Sequence, residues 1–273
     1  MNYKTLMIIP VALLVLSLIY LFWVISTTGL NLDVDLKGGT LISAESSTPP
    51  NEHILENILK EYNADVRIAR GITGYSVLIE FDSSINSDDV INTLKNNGYV
   101  FDSYSVQTIT PSLGAAFFQQ AQVVLGFAFL FMAVTVFIIF KKALPSFYVI
   151  LAGFADIVET LAFSQMLGIE LSLATFAALL LLIGYSVDTD ILLTTRILKT
   201  REGNLKNRIK GTMKTGLTMI GATAAALFAL FIISASSIIT QIASVLLIGL
   251  IFDVINTWIT NAGLLRWYLE RKI

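Results

Sequence analysis

Long apolar stretches alternate with shorter polar segments along most of the chain. A bilayer core of about 30 Å takes about 20 residues of apolar helix. Stretches of this kind cover residues 6–26, 118–140, 146–167, 171–194, 215–233 and 238–264. The pattern predicts an α-helical polytopic membrane protein with six transmembrane helices. We expect the first helix to be retained, because its apolar run is longer than that of a signal peptide.

The segment between the first two apolar stretches has a different pattern. Short runs that alternate apolar and polar residues, as strands do, flank two segments with helical periodicity. Their order, β-α-β-β-α-β, is typical of a ferredoxin-like α+β sandwich. The predicted organisation is therefore helix 1 in residues 1–28, a ferredoxin-like domain in 29–114, and helices 2–6 in 115–273.

The composition excludes several classes of protein. Of the 273 residues, 55% are hydrophobic and 14% charged, whereas soluble domains have about 45–50% and about 25%. These values exclude a soluble enzyme and a disordered chain, and a net charge of −2 excludes a nucleic-acid-binding protein. With no cysteine and one histidine, the sequence predicts no thiolate or multi-histidine metal site and no cofactor.

The basic residues predict the orientation in the membrane. Most of the 18 lysines and arginines lie near the two ends of the chain, at residues 141–142 and in the segment 196–214. Because short basic loops stay in the cytoplasm, we expect both termini there and residues 29–114 outside, in a multi-pass protein of the cell membrane. Two interpretations of the cytoplasmic loop 196–214 remain open: a topology determinant that touches anionic lipid, or a docking surface for a partner.

A few acidic residues interrupt the apolar stretches, without a lysine or arginine near the middle of any stretch. They are Asp156 and Glu159 in the third, Asp188 and Asp190 in the fourth, and Asp253 in the sixth. Charged groups are costly in a bilayer and commonly mark proton or ion pathways. We therefore predict a proton relay that uses Asp188, Asp190 and Asp156. Since residues two apart on a helix are separated by about 200°, one aspartate of the fourth helix is expected to face this chain and the other a different neighbour.

Uncharged polar residues join these acids at helical spacing. On the sixth helix they share one face with Asp253, and on the fifth helix we predict a matching polar face. Two interpretations remain open: hydrogen bonds that hold helices together, worth about 0.6–2 kcal/mol each, or part of the relay. The predicted interhelical stripe is Asp253, Asn256, Thr257, Thr260 and Asn261 of the sixth helix with Thr215 and Thr218 of the fifth.

Four segments stand out in order along the chain: 32–40, which contains Asp35, Gly38 and Gly39; 111–114, Pro-Ser-Leu-Gly; 183–190, which contains Gly184 and Tyr185; and 256–268. Together, and in this order, they resemble the SecD/SecF family of protein-export membrane proteins in the RND superfamily. One helix, an outside ferredoxin-like domain and five further helices also form half of an RND-type unit. The short outside domain is similar to that of the smaller subunit of the family, in its unfused archaeal form.

The resemblance implies a function in protein export, without enzymatic activity. The implied partners are a SecD subunit, a SecY-type translocon channel, a translocating unfolded polypeptide and the lipid bilayer, with no nucleic acid. The resemblance also implies coupling to the proton-motive force through acids of the fourth helix and an acid at the position of Asp156. Bacterial members have Asn-Asp-Thr where this chain has Asp188-Thr189-Asp190, which leaves open which aspartate takes the relay position.

Two other functions fit the same helices and acids. The first is an RND-type exporter of small molecules or lipids, against which the short outside domain argues, because pumps that capture small ligands use larger ones. The second is a scaffold of the channel without ion movement. A self-sufficient homo-oligomer favours the exporter, and the absence of acid-dependent proton flux favours the scaffold.

Overall fold

In a computed structural model, which describes residues 3–46, 48–71, 74–101, 103–199, 204–234 and 236–271, the chain forms a bundle of long helices joined to a small sheet domain. Six helices in these residues are long and apolar enough to cross a membrane. The multi-pass membrane fold predicted from hydropathy is therefore confirmed.

The elements follow in three groups along the chain. The first group is α1 (Tyr3–Leu6) and α2 (Ile8–Thr27). The second is the sheet domain, with α3 (Val34–Lys37), β1 (Gly39–Ser46), α4 (Glu52–Ile58), β2 (Asp65–Gly71), β3 (Gly74–Phe81), α5 (Ser87–Asn96) and β4 (Ser103–Ile109). The third is α6 (Pro111–Phe140), α7 (Ala143–Met166), α8 (Leu173–Lys199), α9 (Leu205–Ile233), α10 (Ser237–Ile255), a π-helical segment (Asn256–Asn261) and α11 (Ala262–Glu270).

The sheet domain has the predicted ferredoxin-like topology. Its strands lie in the order β2-β3-β1-β4, and every neighbouring pair is antiparallel. Helices α4 and α5 supply Leu55 and Leu94, which pack in one core with Ile42 and Ile79 of the sheet. The opposite face of the sheet lies over the ends of α8 and α10, and a cleft of about 290 Å³ separates them.

Two of the segments that resemble the family meet where the sheet domain joins α6. Gly38 has a φ of +84°, and a Cβ there would lie 2.5 Å from Cα of Pro111. On the next turn of α6, a Cβ at Gly114 would lie 2.7 Å from the backbone nitrogen of Gly38. Only glycine fits such close backbone contacts. Gly38 and the Pro111–Gly114 segment are therefore two halves of one tight joint.

Three membrane helices, α7, α8 and α10, form the centre of the bundle. They bury most of the side chains that face one another, and α8 approaches α10 closely because Gly249 lies against the fully buried Leu182. Helices α2, α6 and α9 surround them and present large apolar side chains outward, such as Phe22, Phe131 and Phe228. In a membrane protein these outward faces are the ones that contact lipid or another protein.

The helices extend beyond the apolar stretches that predict them. Helix α6 begins at Pro111, α8 continues to Lys199, and α9 begins at Leu205 after the cap residue Asn204. Much of the basic segment 196–214, predicted as a loop, is therefore helical, and its residues 200–203 lie outside the described residues. Hydropathy marks only the part of a helix in hydrocarbon, whereas helical hydrogen bonds continue into the polar layer.

Candidate functional site

Four acidic side chains from three helices meet inside the bundle. Asp156 and Glu159 of α7, Asp190 of α8 and Asp253 of α10 are each 0% exposed. Within the described part of the chain, no basic side chain lies within salt-bridge distance of any of them. Isolated ionised carboxylates are very costly in an apolar interior. The ionised form of this four-carboxylate cluster is therefore costly unless hydrogen-bond donors surround it.

The amide of Asn256 joins the two acids of α7 to the sixth helix. Its nitrogen Nδ2 donates to Oδ1 of Asp156 at 2.9 Å and to Oε2 of Glu159 at 2.7 Å. An amide nitrogen carries two hydrogens, so both bonds form together. Ser186 of α8 donates to the other oxygen of Asp156 at 2.5 Å. Asp156 thus connects α7 to both other central helices.

The hydroxyl of Thr257 lies between the other two acids. It is 2.9 Å from Oδ1 of Asp190 and 3.0 Å from Oδ1 of Asp253. A hydroxyl has one proton to donate, so both contacts are hydrogen bonds at once only when one carboxyl group is protonated and donates to the hydroxyl oxygen. Asn261 adds a bond to Asp190 at 2.7 Å. This geometry suits a pair of acids that share or exchange a proton.

Several oxygens of the cluster have no hydrogen-bond partner among the described residues, although all are buried. Buried polar atoms are nearly always paired, and exceptions commonly belong to functional sites or bind water or ions. The set is Oε1 of Glu159, Oδ2 of Asp190, Oδ2 of Asp253, Oγ1 of Thr194 and Oδ1 of Asn261.

The polar residues of the sixth helix lie in a π-helical segment, Asn256–Asn261, which the sequence analysis missed. A π-helical turn is wider than an α-helical turn and is common at functional sites. Asn256 therefore reaches the acids of α7, while Thr257 and Asn261 reach Asp190 of α8. The dense run of amides and hydroxyls was the only signal of this segment in the sequence.

The two aspartates of α8 separate as their spacing predicts. Asp190 points into the cluster, whereas Asp188 is exposed on the opposite side of the helix. The exposed side also carries Gly184 and Tyr185, the residues of the resembling segment, and a Cβ at Gly184 would meet nothing within 4 Å. The structure thus does not bring Asp188 together with Asp190 and Asp156.

Thr215 and Thr218 of α9 do not join the interhelical stripe, contrary to the prediction. Both are exposed, and their hydroxyls donate to carbonyls of their own helix, at Gly211 and Lys214. The side of α9 that faces the bundle carries Thr212 and Gly216 instead, because Gly216 accommodates the indole ring of Trp258. Helix α9 does carry a polar face, but this face points away from the rest of the described chain.

The two kinds of threonine predict different responses to the same substitution. We expect Thr257→Val to lower the free energy of unfolding by about 1–3 kcal/mol, because it removes a buried hydroxyl that hydrogen-bonds with Asp190 and Asp253. Thr218→Val removes only an exposed hydroxyl and should cost less than about 0.5 kcal/mol. Thermal unfolding of both variants in the same detergent measures the difference. Equal losses of unfolding free energy in the two variants would contradict the role of Thr257 in the cluster.

One further group of carboxylates lies outside the membrane helices. Asp33, Glu80 and Glu170 have oxygens within 4.8 Å of one another, close enough to share a cation. The basic side chains of Arg67 and Lys37 already pair with two of these acids. We therefore assign this group as an ion-pair network between the sheet domain and the membrane helices, and not as a metal site.

Comparison with known proteins gives consistent matches. The family described as "Protein export membrane protein SecD/SecF, C-terminal" matches residues 89–271. A "Protein-export membrane protein SecF" of Methanothermobacter thermautotrophicus is 41% identical, over 98% of this chain and 93% of the relative. Relatives of the same name in Methanocaldococcus jannaschii (39%, covering 98% and 96%) and Pyrococcus furiosus (34%, covering 100% and 93%) are also similar.

A solved structure shares the fold. The crystal structure of SecDF, a translocon-associated membrane protein from Thermus thermophilus, superimposes with a TM-score of 0.76 at 19% identity. The match covers 98% of this chain but 38% of the SecDF chain. The chain therefore has the architecture of one part of a longer protein.

Proposed function

The chain belongs to the SecD/SecF family of protein-export membrane proteins, and on this premise we propose that it pairs with a SecD-type subunit and couples the proton-motive force to polypeptide translocation through a SecY-type channel. A role as a non-enzymatic accessory subunit of protein export follows from the family. The coupling and the named partners are the proposal. The observation that carries the coupling is the buried four-carboxylate cluster on α7, α8 and α10.

Proton uptake by this cluster would change the contacts between helices. A carboxylate accepts hydrogen bonds, whereas a protonated carboxyl group also donates one. When Asp190 or Asp253 gains a proton, Thr257 is free to donate to the other acid, and the bonds between α8 and α10 rearrange. The same change at Asp156 alters its bonds to Ser186 and Asn256. Protonation therefore shifts the relative stability of helix arrangements, as a coupled transporter requires.

The exposed side of α8 supports a partner subunit in the membrane. Asp188 lies there beside Gly184 and Tyr185, and a carboxylate is costly against lipid. Thr215 and Thr218 of α9 are further exposed polar residues, on a helix that packs beside α8. A second membrane protein with donors at this depth would cover these groups, whereas lipid chains would not.

Cysteine cross-linking tests this interface directly, because the chain has no cysteine of its own. We expect Leu181→Cys, on the same exposed side of α8 as Asp188, to cross-link to a second membrane subunit in native membranes. Phe22→Cys on α2 is the matched control, since Phe22 is 75% exposed but lies on a peripheral helix. A cross-link at Phe22 without one at Leu181 would place the partner elsewhere.

Purification of the tagged chain from native membranes in mild detergent distinguishes the proposed function from the alternatives. A co-purifying six-helix subunit with a larger outside domain, identified by mass spectrometry, supports the export pair. A homo-oligomer without such a subunit supports an exporter of small molecules or lipids. Depletion of the protein should then slow export of a secreted reporter in the first case and leave it unchanged in the second.

A further inference from the structure

The connection between α7 and α8 is bound to the sheet domain along a short seam. The backbone nitrogen of Asp33 donates to the carbonyl of Leu171 at 2.9 Å, and that of Leu171 donates to the carbonyl of Asn31 at 2.8 Å. Gln165 at the end of α7 accepts from the backbone nitrogen of Asn31 at 2.8 Å. Glu170 lies in this seam, next to Leu171, and is 4% exposed.

Charged side chains of the sheet domain surround Glu170. Arg67 of β2 donates to Glu170 at 2.5 Å and also pairs with Glu80 of β3. The Nζ atom of Lys37, at the end of α3, is 2.9 Å from Glu80 and 4.0 Å from Glu170. Asp33 completes the set, with a carboxylate oxygen within 4.8 Å of those of Glu80 and Glu170.

This network has more acids than bases. Three carboxylates lie within 4.8 Å of one another, and Arg67 and Lys37 are the two cations that pair with them. A further acid, Asp65, reaches Nε of Arg67 at 3.5 Å. Asp65 is exposed to solvent, so the three clustered carboxylates exceed the two cations by one charge. This excess is unfavourable beside the buried Glu80 and Glu170, and one bound proton would balance it.

We propose that this network is a pH-dependent latch, in which docking of the sheet domain on the α7–α8 connection takes up a proton. Burial is the main effect that raises the pKa of Glu170, and Asp33 raises it further, while Arg67 and Lys37 act in the opposite direction. A group whose pKa is higher in the docked state binds a proton more tightly in that state. Acidification on this side of the membrane therefore stabilises docking, and a rise in pH releases it.

The contacts between the sheet domain and the membrane helices leave room for such a movement. The tight contact of Gly38 with Pro111 and Gly114 holds one edge of the sheet domain. Beyond the network, the open face of the sheet is separated from α8 and α10 by the cleft of about 290 Å³, which is lined by polar residues such as Asp35 and Gln107. Such a cleft gives water and protons access to the network. A hinge at the glycine joint would open or close the cleft.

The latch lies on the segment that connects two helices of the four-carboxylate cluster. Glu170 follows α7, which carries Asp156 and Glu159, and precedes α8, which carries Asp190. A change at the seam would therefore act on the helices that hold the cluster. The latch itself does not depend on the proposed export function, because it concerns only the position of the sheet domain in this chain.

Distance measurements between two spin labels test the latch in the full chain in lipid nanodiscs. Labels at Ser105→Cys on β4 and Ile238→Cys on α10 report the opening of the cleft from its two sides. We expect the ratio of short to long distances to rise severalfold when the pH is lowered from 8 to 5. In the Glu170→Gln variant, which mimics the protonated acid, we expect the short distance to dominate at both pH values.

Two arginines of β2 provide a matched pair of variants. Arg67→Gln removes a charged donor from two acids, so the ratio of short to long distances should fall by about tenfold or more at pH 8. Arg70→Gln is the control, because Arg70 is exposed and stacks over Tyr75 away from the network. Thermal unfolding shows whether each variant is folded. The proposal is overturned if the ratio of short to long distances does not change with pH in the unsubstituted chain. It is also overturned if this ratio is lower in Glu170→Gln than in the unsubstituted chain.

Discussion

Asp190→Asn is expected to reduce proton-driven activity by about tenfold or more, while Asp188→Asn leaves most of it intact. The two residues lie two positions apart on α8, yet only Asp190 accepts hydrogen bonds from Thr257 and Asn261 inside the cluster. Asparagine keeps the size of aspartate but cannot take up a proton at this position. The exposed Asp188 lies outside the four-carboxylate cluster and should tolerate the same change.

The measurement is proton uptake by liposomes that contain the chain and the proposed SecD-type partner, at an imposed membrane potential. Translocation of a secreted reporter in membrane vesicles serves as the second readout. Equal thermal stability of the two variants is the control for folding. If Asp188→Asn abolished proton uptake and Asp190→Asn preserved it, the assignment of the relay to the buried cluster would be wrong.

Gly114→Ala is expected to destabilise the chain by about 3 kcal/mol, a large effect for one methyl group. A Cβ at this position would lie 2.7 Å from the nitrogen of Gly38 and 3.1 Å from the carbonyl oxygen of Leu36. Both obstacles are backbone atoms, which cannot move aside as a flexible side chain does. The sheet domain would have to shift away from α6 to make room.

Gly126→Ala on the same helix is the matched control, because a Cβ there meets nothing within 4 Å. Alanine favours helix over glycine by up to about 1 kcal/mol, so this variant should be as stable as the unsubstituted chain or slightly more so. Denaturant unfolding in one detergent measures both variants. Similar unfolding midpoints for the two substitutions would show that the joint is not as tight as the structure places it.

Much of the architecture follows from the sequence alone. Hydropathy was sufficient to predict the six membrane helices. The alternation of apolar and polar residues, together with turn signals, was sufficient to predict the β-α-β-β-α-β order, because burial patterns repeat with the period of each element. The same periodicity showed that Asp188 and Asp190 lie on different faces of their helix. This statement concerns neighbours within one helix, whose relative angles are determined by helical geometry.

The tertiary structure decided which of these faces points inward. Periodicity alone could not choose Asp190 over Asp188, or Thr212 over Thr215, because the rotation of a helix about its axis depends on packing against its neighbours. Close contacts, such as those of Gly249 with Leu182 and of Gly216 with Trp258, determine that rotation. The ion-pair network at Glu170 also appeared only in the fold, because it joins residues far apart in the chain. The sequence by itself thus determined the elements and their chemistry, and tertiary packing determined which acids meet.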